Sequence, residues 1–130
     1  MTMKLEAVAE ILETEGIAIF GDDLYIYAMP EGVQNGVLLT DDTDTPTEVD
    51  EYIPKLKKSD FRAIVRGKGY KEAMALANKV SGSLNKYNYE ASNGLKFLRL
   101  KPTYDPIAYP VSESDVIEVS VNLWTAYIEP

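Results

Sequence analysis

The chain has 130 residues, 45% of them hydrophobic, and a net charge of −8, the size and apolar content of one domain built on one core. It contains neither cysteine nor histidine, which excludes disulfides, thiolate nucleophiles, Cys-based zinc sites and the commonest general base and pH switch. No apolar run approaches the roughly 20 residues that span a bilayer, and Met1-Thr2-Met3-Lys4-Leu5-Glu6 lacks a secretory apolar stretch, so a soluble protein made in the cytoplasm is expected.

Leu5, Val8, Ala9 and Leu12 recur at i, i+3, i+4 and i+7, with Glu6, Glu10 and Glu13 on the wet side. This predicts a surface helix from Met3 to Glu15, with Thr2 as N-cap and Gly16 as left-handed terminator. Leu24-Tyr25-Ile26-Tyr27-Ala28 and Val37-Leu38-Leu39-Thr40 read as strands, joined as a hairpin through the turn-rich Pro30 to Gly36. The stretch Asp41-Asp42-Thr43-Asp44-Thr45-Pro46-Thr47-Glu48 is polar and of low complexity. Such a composition predicts an exposed, mobile loop whose Asp41, Asp42, Asp44 and Glu48 face a partner.

Val49 to Ile53 is expected to extend the sheet up to Pro54, and Phe61-Arg62-Ala63-Ile64-Val65-Arg66 forms a further strand. A second helix, Tyr70 to Lys86, buries Ala73, Leu76, Ala77, Val80 and Leu84, its alanines letting it lie close to a sheet. Leu95 to Lys101 reads as a strand, Pro102 to Pro110 as a proline-punctuated bridge whose Ile107-Ala108-Tyr109 packs, and Val116 to Tyr127 as a long strand. In that last strand Ile117, Val119, Val121 and Leu123 alternate with Glu118, Ser120 and Asn122, the pattern of a half-buried antiparallel strand. The expected architecture is a single α+β domain over residues 1–130: a mostly antiparallel sheet of four to five strands with two helices on one face.

Charge is segregated along the chain. Residues 1–54 carry thirteen acids and one base, 55–101 twelve bases and three acids, and 102–130 five acids and no base. Such blocks can give a subunit one acidic and one basic face, suited to complementary contacts. Seven of the thirteen positive charges fall between Lys55 and Lys71, with Phe61 and Tyr70 interleaved. This basic stretch fits an acidic protein surface or nucleic-acid phosphates, the latter opposed by the overall acidity. Within it Arg62 and Arg66 share one strand face, and Lys57, Lys58 and Lys68 add to the patch. Trp124, on the polar side of the last strand, is an interface-anchor candidate.

No catalytic, cofactor or metal residues are assigned. Taking Asp42 as the first position of a calcium loop puts Asp44 correctly at the third. However, it places Pro46 at the fifth, Thr47 where glycine is required and Ile53 where glutamate is required. Gly67-Lys68-Gly69 lacks the spacing of a phosphate-binding loop and reads as a tight strand-to-helix turn.

Tyr52-Ile53-Pro54-Lys55-Leu56 leads into the Phe61–Arg66 strand, Tyr70-Lys71-Glu72-Ala73-Met74-Ala75-Leu76-Ala77 opens the second helix, and Leu95-Lys96-Phe97-Leu98 and Tyr109-Pro110 precede Ile117-Glu118-Val119-Ser120-Val121-Asn122. Over roughly residues 50–127 this series resembles the tail terminator, also called tail-completion or minor capsid, proteins of long-tailed bacteriophages. The resemblance implies a small non-enzymatic α+β subunit, without cofactor or membrane contact, that assembles as a hexameric ring on the tail tube. That ring stops tube polymerisation and offers the surface that joins tail to head. Its partners would be further copies, the tail tube protein and a head-completion or connector protein, with DNA only as passing cargo. Its place would be the virion tail or neck, assembled in the host cytoplasm. Another neck component, such as a head-closure or tail-tube protein, and a small enzyme or nucleic-acid module using the basic patch 55–71 are the alternatives.

Overall fold

The computed structural model describes residues 3–42, 44–109 and 116–130. Helix α1 (Met3–Thr14) buries Leu5, Val8, Ala9 and Leu12, the stripe its periodicity predicts, and Ile11 in addition. Gly16 ends it with a φ of 73°, its N–H donating to Glu13 O at 3.0 Å while Ile17 N–H donates to Leu12 O at 2.9 Å. These bonds satisfy carbonyls that the last turn would otherwise leave open. Thr2, the expected N-cap, lies outside the described residues.

Strands β1 (Leu24–Ile26) and β2 (Gly36–Asp41) do not form the expected hairpin. They pair in parallel, Leu24 opposite Val37 and Ile26 opposite Leu39. The cause is the connection: Tyr27 leaves β1 with a φ of 67°, and the chain returns to the start of β1, where Val37 N–H donates to Asp23 O at 2.8 Å. A tight turn of two to five residues would have reversed it in place. The expected strand over Val49 to Ile53 contracts to β3 (Glu48–Val49). Beyond it Asp50 Oδ1 accepts from the backbone N–H of Tyr52 (2.8 Å) and Ile53 (2.7 Å). This side-chain turn competes with the strand ladder and ends it.

Strand β4 (Leu56–Lys68) contains the predicted Phe61–Arg66 run and extends it at both ends. Helix α2 (Tyr70–Ser83) stops short of Lys86, closed by Leu84 N–H donating to Val80 O at 3.0 Å. Lys86 instead opens β5 (Lys86–Glu90), a strand too polar to be read from periodicity. Strands β6 (Lys96–Pro102), β7 (Ile107–Tyr109) and β8 (Val116–Ile128) follow. The expected proline bridge is therefore in part a strand, with Ile107 opposite Ser120 and Tyr109 opposite Glu118.

Among the described residues the result is α+β with two helices, but the sheet is mixed and has eight strands rather than four to five antiparallel ones. The order is β1-β2-β4-β8-β6-β5, with β3 beside β4 and β7 beside β8. The difference lies in strands of two or three residues, which are too short to show a repeat, and in the parallel β1. β4 and β8 pair along their whole length, Leu56 opposite Ile128 through Lys68 opposite Val116. Phe61, Ala63 and Val65, opposite Leu123, Val121 and Val119, turn to the helices and are fully buried. Each such Leu or Phe contributes about 1.5–3 kcal/mol by leaving water. α2 lies so close to the sheet that a Cβ at Gly67 would stand 2.7 Å from Ala73 Cα. Phe97, Leu95 and Leu100 join the same core as α1 and α2.

Candidate functional site

Because successive side chains on a strand point to opposite faces, burying the odd residues of β4 and β8 turns their even residues to the helix-free face. That face carries Lys58, Arg62, Arg66 and Lys68 on β4, against Asp60 on the same strand and Glu118 on β8. β6 adds two cations, each laid over an aromatic ring. Arg99 Cζ stands 4.0 Å from the Tyr87 ring centroid, and Lys101 Nζ 5.6 Å from that of Trp124. The pairs sit beside each other because Tyr87 opposes Arg99, Arg99 opposes Ala126, and Lys101 opposes Trp124. A cation over an aromatic face contributes about 0.5–1 kcal/mol at an exposed site and holds both groups in one geometry.

The sequence-predicted residues divide by their partners. Arg66 is tied down: Nε donates to Glu118 Oε2 at 2.9 Å and an Nη donates to Pro30 O at 3.1 Å. Lys57 is held by an ion pair with Glu129. Lys58 and Lys68 are exposed, and Arg62 and Trp124 are half-buried on the open face. Arg62 Nε is the one buried side-chain polar atom among the described residues that has no hydrogen-bond partner. Arg62 and Arg66 thus share a face, as expected, but only Arg66 is already engaged. Lys101, Arg99 and Tyr87 were missed. Only the β6–β8 register, with its bulge between Phe97 and Arg99, brings them to Trp124.

The acidic stretch also divides. Asp41 belongs to β2 rather than to a loop. Its Oδ1 lies 2.6 Å from Lys4 Nζ, and its Oδ2 accepts from the Tyr27 hydroxyl at 2.7 Å. Burial pushes its carboxyl up, but these bonds and the Lys4 charge outweigh that and hold it below the ordinary value. Glu48 belongs to β3, opposite Lys58. Asp42 and Asp44 remain in the connection, where Asp42 Oδ1 accepts from Asp44 N–H at 3.0 Å.

Next to Glu48, Val49 at the end of β3 and Tyr52 and Ile53 in the turn after it are 66%, 85% and 51% exposed. Asp50 at its centre is held below the ordinary carboxylate range by the N–H groups of Ile53 and Tyr52 and by the Lys58 charge, against a slight rise from desolvation. The sequence places all three in a sheet strand, which holds for Val49 but not for Tyr52 and Ile53. Their signal was the Asp two and three residues before Tyr52 and Ile53, an Asx-turn spacing.

The helix-free face of the sheet is thus cationic and aromatic. Among the described residues no group of acidic side chains is placed to hold a metal ion, and no helix is long and apolar enough to cross a membrane. Residues 11–127 match the family described as bacteriophage tail terminator protein. The chain belongs to that family. Tail terminators are phage structural proteins, not a class of enzymes, and membership places the chain in the tail or neck of a virion. The fold has a solved counterpart in a chain of a structure titled "Virion of native gene transfer agent (GTA) particle". The two are 21% identical with a TM-score of 0.72, and the match covers 95% of this chain and 92% of that one. No curated protein matched the sequence.

Proposed function

We propose that the protein caps the phage tail tube as a ring of identical subunits, stops tube polymerisation and supplies the surface that joins the tail to the head. The match to tail terminators over residues 11–127 carries the reading. The physical organisation agrees with it. A closed ring needs a heterologous interface, one surface of a subunit meeting a different surface of the next. Here a net-acidic N-terminal block accompanies a helix-free face where Lys58, Arg62, Lys101 and Lys68 outnumber Asp60 and Glu118. Lys58, Lys68, Arg62 and Trp124 are the interface positions we favour, since Lys57 and Arg66 are engaged within the subunit.

In this reading the partners are further copies, six to a ring, the tail tube protein on one side and a head-completion or connector protein on the other. DNA crosses the ring as cargo. Tails assembled without the protein should reach uncontrolled lengths or fail to attach to heads, and the purified protein should restore both. Tails of normal length that join heads in its absence would overturn the proposal, whereas normal-length tails that fail to join would move the role to head closure.

A further inference from the structure

Two exposed surfaces of this subunit are unlike in charge and alike in leaving apolar area uncovered. The first is β3 with the turn that follows it, here called the hook. It presents Val49, Tyr52 and Ile53 beside the carboxylates of Glu48 and Glu51, and its shape is fixed by the two hydrogen bonds that Asp50 accepts. Three exposed apolar side chains within five residues of one short, pre-shaped segment are a dense display of apolar surface, and such surfaces mark contact sites. Pre-organisation matters because a segment already in its bound shape loses little entropy on docking.

The second surface is the strip of the open sheet face made by Trp124 with Lys101 and by Tyr87 with Arg99. Tyr87 is 71% exposed. Tryptophan, tyrosine and arginine are the residues that dominate binding where they become covered.

We propose that the hook of one copy docks on the Trp124–Lys101 strip of a second copy, Tyr52 and Ile53 covering the Trp124 ring while Glu51 meets Lys101. The inference rests on the ring reading above and names the surfaces that make the ring. The occupant is a second copy because the surfaces are complementary: the carboxylates of Glu48 and Glu51 with exposed apolar side chains on one side, and on the other two cations stacked on aromatic rings, of which Tyr87 is exposed and Trp124 half-buried. In a ring each contact joins a hook to a strip, so an arc of copies keeps one unused hook and one unused strip until it closes, whereas a two-fold pair would use both at once and stop at a dimer. A nucleic acid would find cations and rings on the strip but would leave the hook exposed and meet a chain of net charge −8.

The test is sedimentation of the purified full chain at low salt with two variants, Glu51→Lys/Tyr52→Ser in the hook and Lys101→Glu/Trp124→Ser in the strip. Lys101→Glu alone is the strip variant that leaves the half-buried ring in place, and thermal melts check that each variant is folded. Wild type should form species larger than a dimer, and each variant alone should associate at least about tenfold more weakly, the loss of roughly 1.4 kcal/mol. An equimolar mixture of the two should give a dimer and nothing larger, because one intact hook and one intact strip remain.

A folded variant that assembles like wild type overturns the hook-and-strip contact and leaves the ring reading standing. Wild type that stays monomeric throughout overturns both. Unchanged assembly of Lys101→Glu together with lost binding to a single-stranded oligonucleotide overturns the contact in favour of nucleic acid.

Discussion

Lys4 Nζ, on a side chain only 2% exposed, lies 2.6 Å from Asp41 Oδ1 and also donates to Ser59 Oγ at 2.7 Å. One ammonium thereby ties the first turn of α1 to the end of β2 and to β4, with the Phe61 ring 5.5 Å away. Replacing Asp41 by alanine leaves that buried cation with the Ser59 hydroxyl and the Phe61 ring but without its counter-charge. The substitution should cost about 2–3 kcal/mol, below the full penalty of a wholly buried pair because Asp41 is itself 37% exposed. Urea unfolding measures it, and the double substitution Lys4→Met/Asp41→Ala should recover part of the loss.

The same pair sets a pH dependence. Asp41 has a carboxyl pKa lowered in the folded state, so the folded protein binds fewer protons than the unfolded chain in the acid range. Its contribution is present above the ordinary carboxylate value of 3.8 and is lost as pH falls through the lower folded value. Stability followed by thermal melts should fall on acidification below about pH 4, and the acid limb should be shallower in Asp41→Asn.

Gly67→Ala tests the approach of α2 to the sheet. The new methyl would stand 2.7 Å from both the Cα and the N of Ala73, which are backbone atoms that cannot rotate away. A cost of about 1–3 kcal/mol is expected, and each kcal/mol should lower Tm by roughly 4 °C in a domain of this size. Gly69→Ala, with φ at 80° and nothing within 4 Å, should cost about 1 kcal/mol through backbone strain alone.

Arg62 and Arg66 lie four residues apart on one strand face, yet opposite outcomes are expected of them. Arg66→Met removes the bond to Glu118 and the anchor of the Pro30 carbonyl, and should lower stability by about 1–2 kcal/mol. Arg66→Lys should not restore it, because a point charge cannot replace the guanidinium fork. Arg62→Met removes a buried Nε that has no partner and should leave stability within about 0.5 kcal/mol or raise it. Chemical denaturation of the variants distinguishes them.

Long, strongly periodic elements were legible. The stripes of α1 and α2 and the alternation of β8 each repeat often enough for burial to fix their faces, and Gly16 carries its own stop signal. What failed was local in sequence but decided elsewhere. β1 and β2 looked like a hairpin because their turn residues are hairpin residues, whereas the length of the 27–35 connection made a parallel return possible. Asp41 looked like loop because its neighbours are polar, whereas a lysine near the N-terminus holds it in a strand. The candidate surface was half legible. Trp124 could be placed on the open face from alternation alone. Its partner Lys101 depends on a bulged register, and the hook depends on one aspartate turning the chain away from the sheet.

The sheet ends in β1 on one side and β5 on the other. β1 is three residues long, and β5 holds the left-handed Asn88, φ 48°, at its midpoint. Short or kinked borders are poor templates for a further strand. Backbone-to-backbone growth, the route by which exposed borders seed fibres, is therefore disfavoured at both ends. Association is thereby steered towards side chains, and a contact rich in charge weakens as salt rises. A molecule whose proposed task is to bring a polymer to a stop is thus built so that it does not start one of its own.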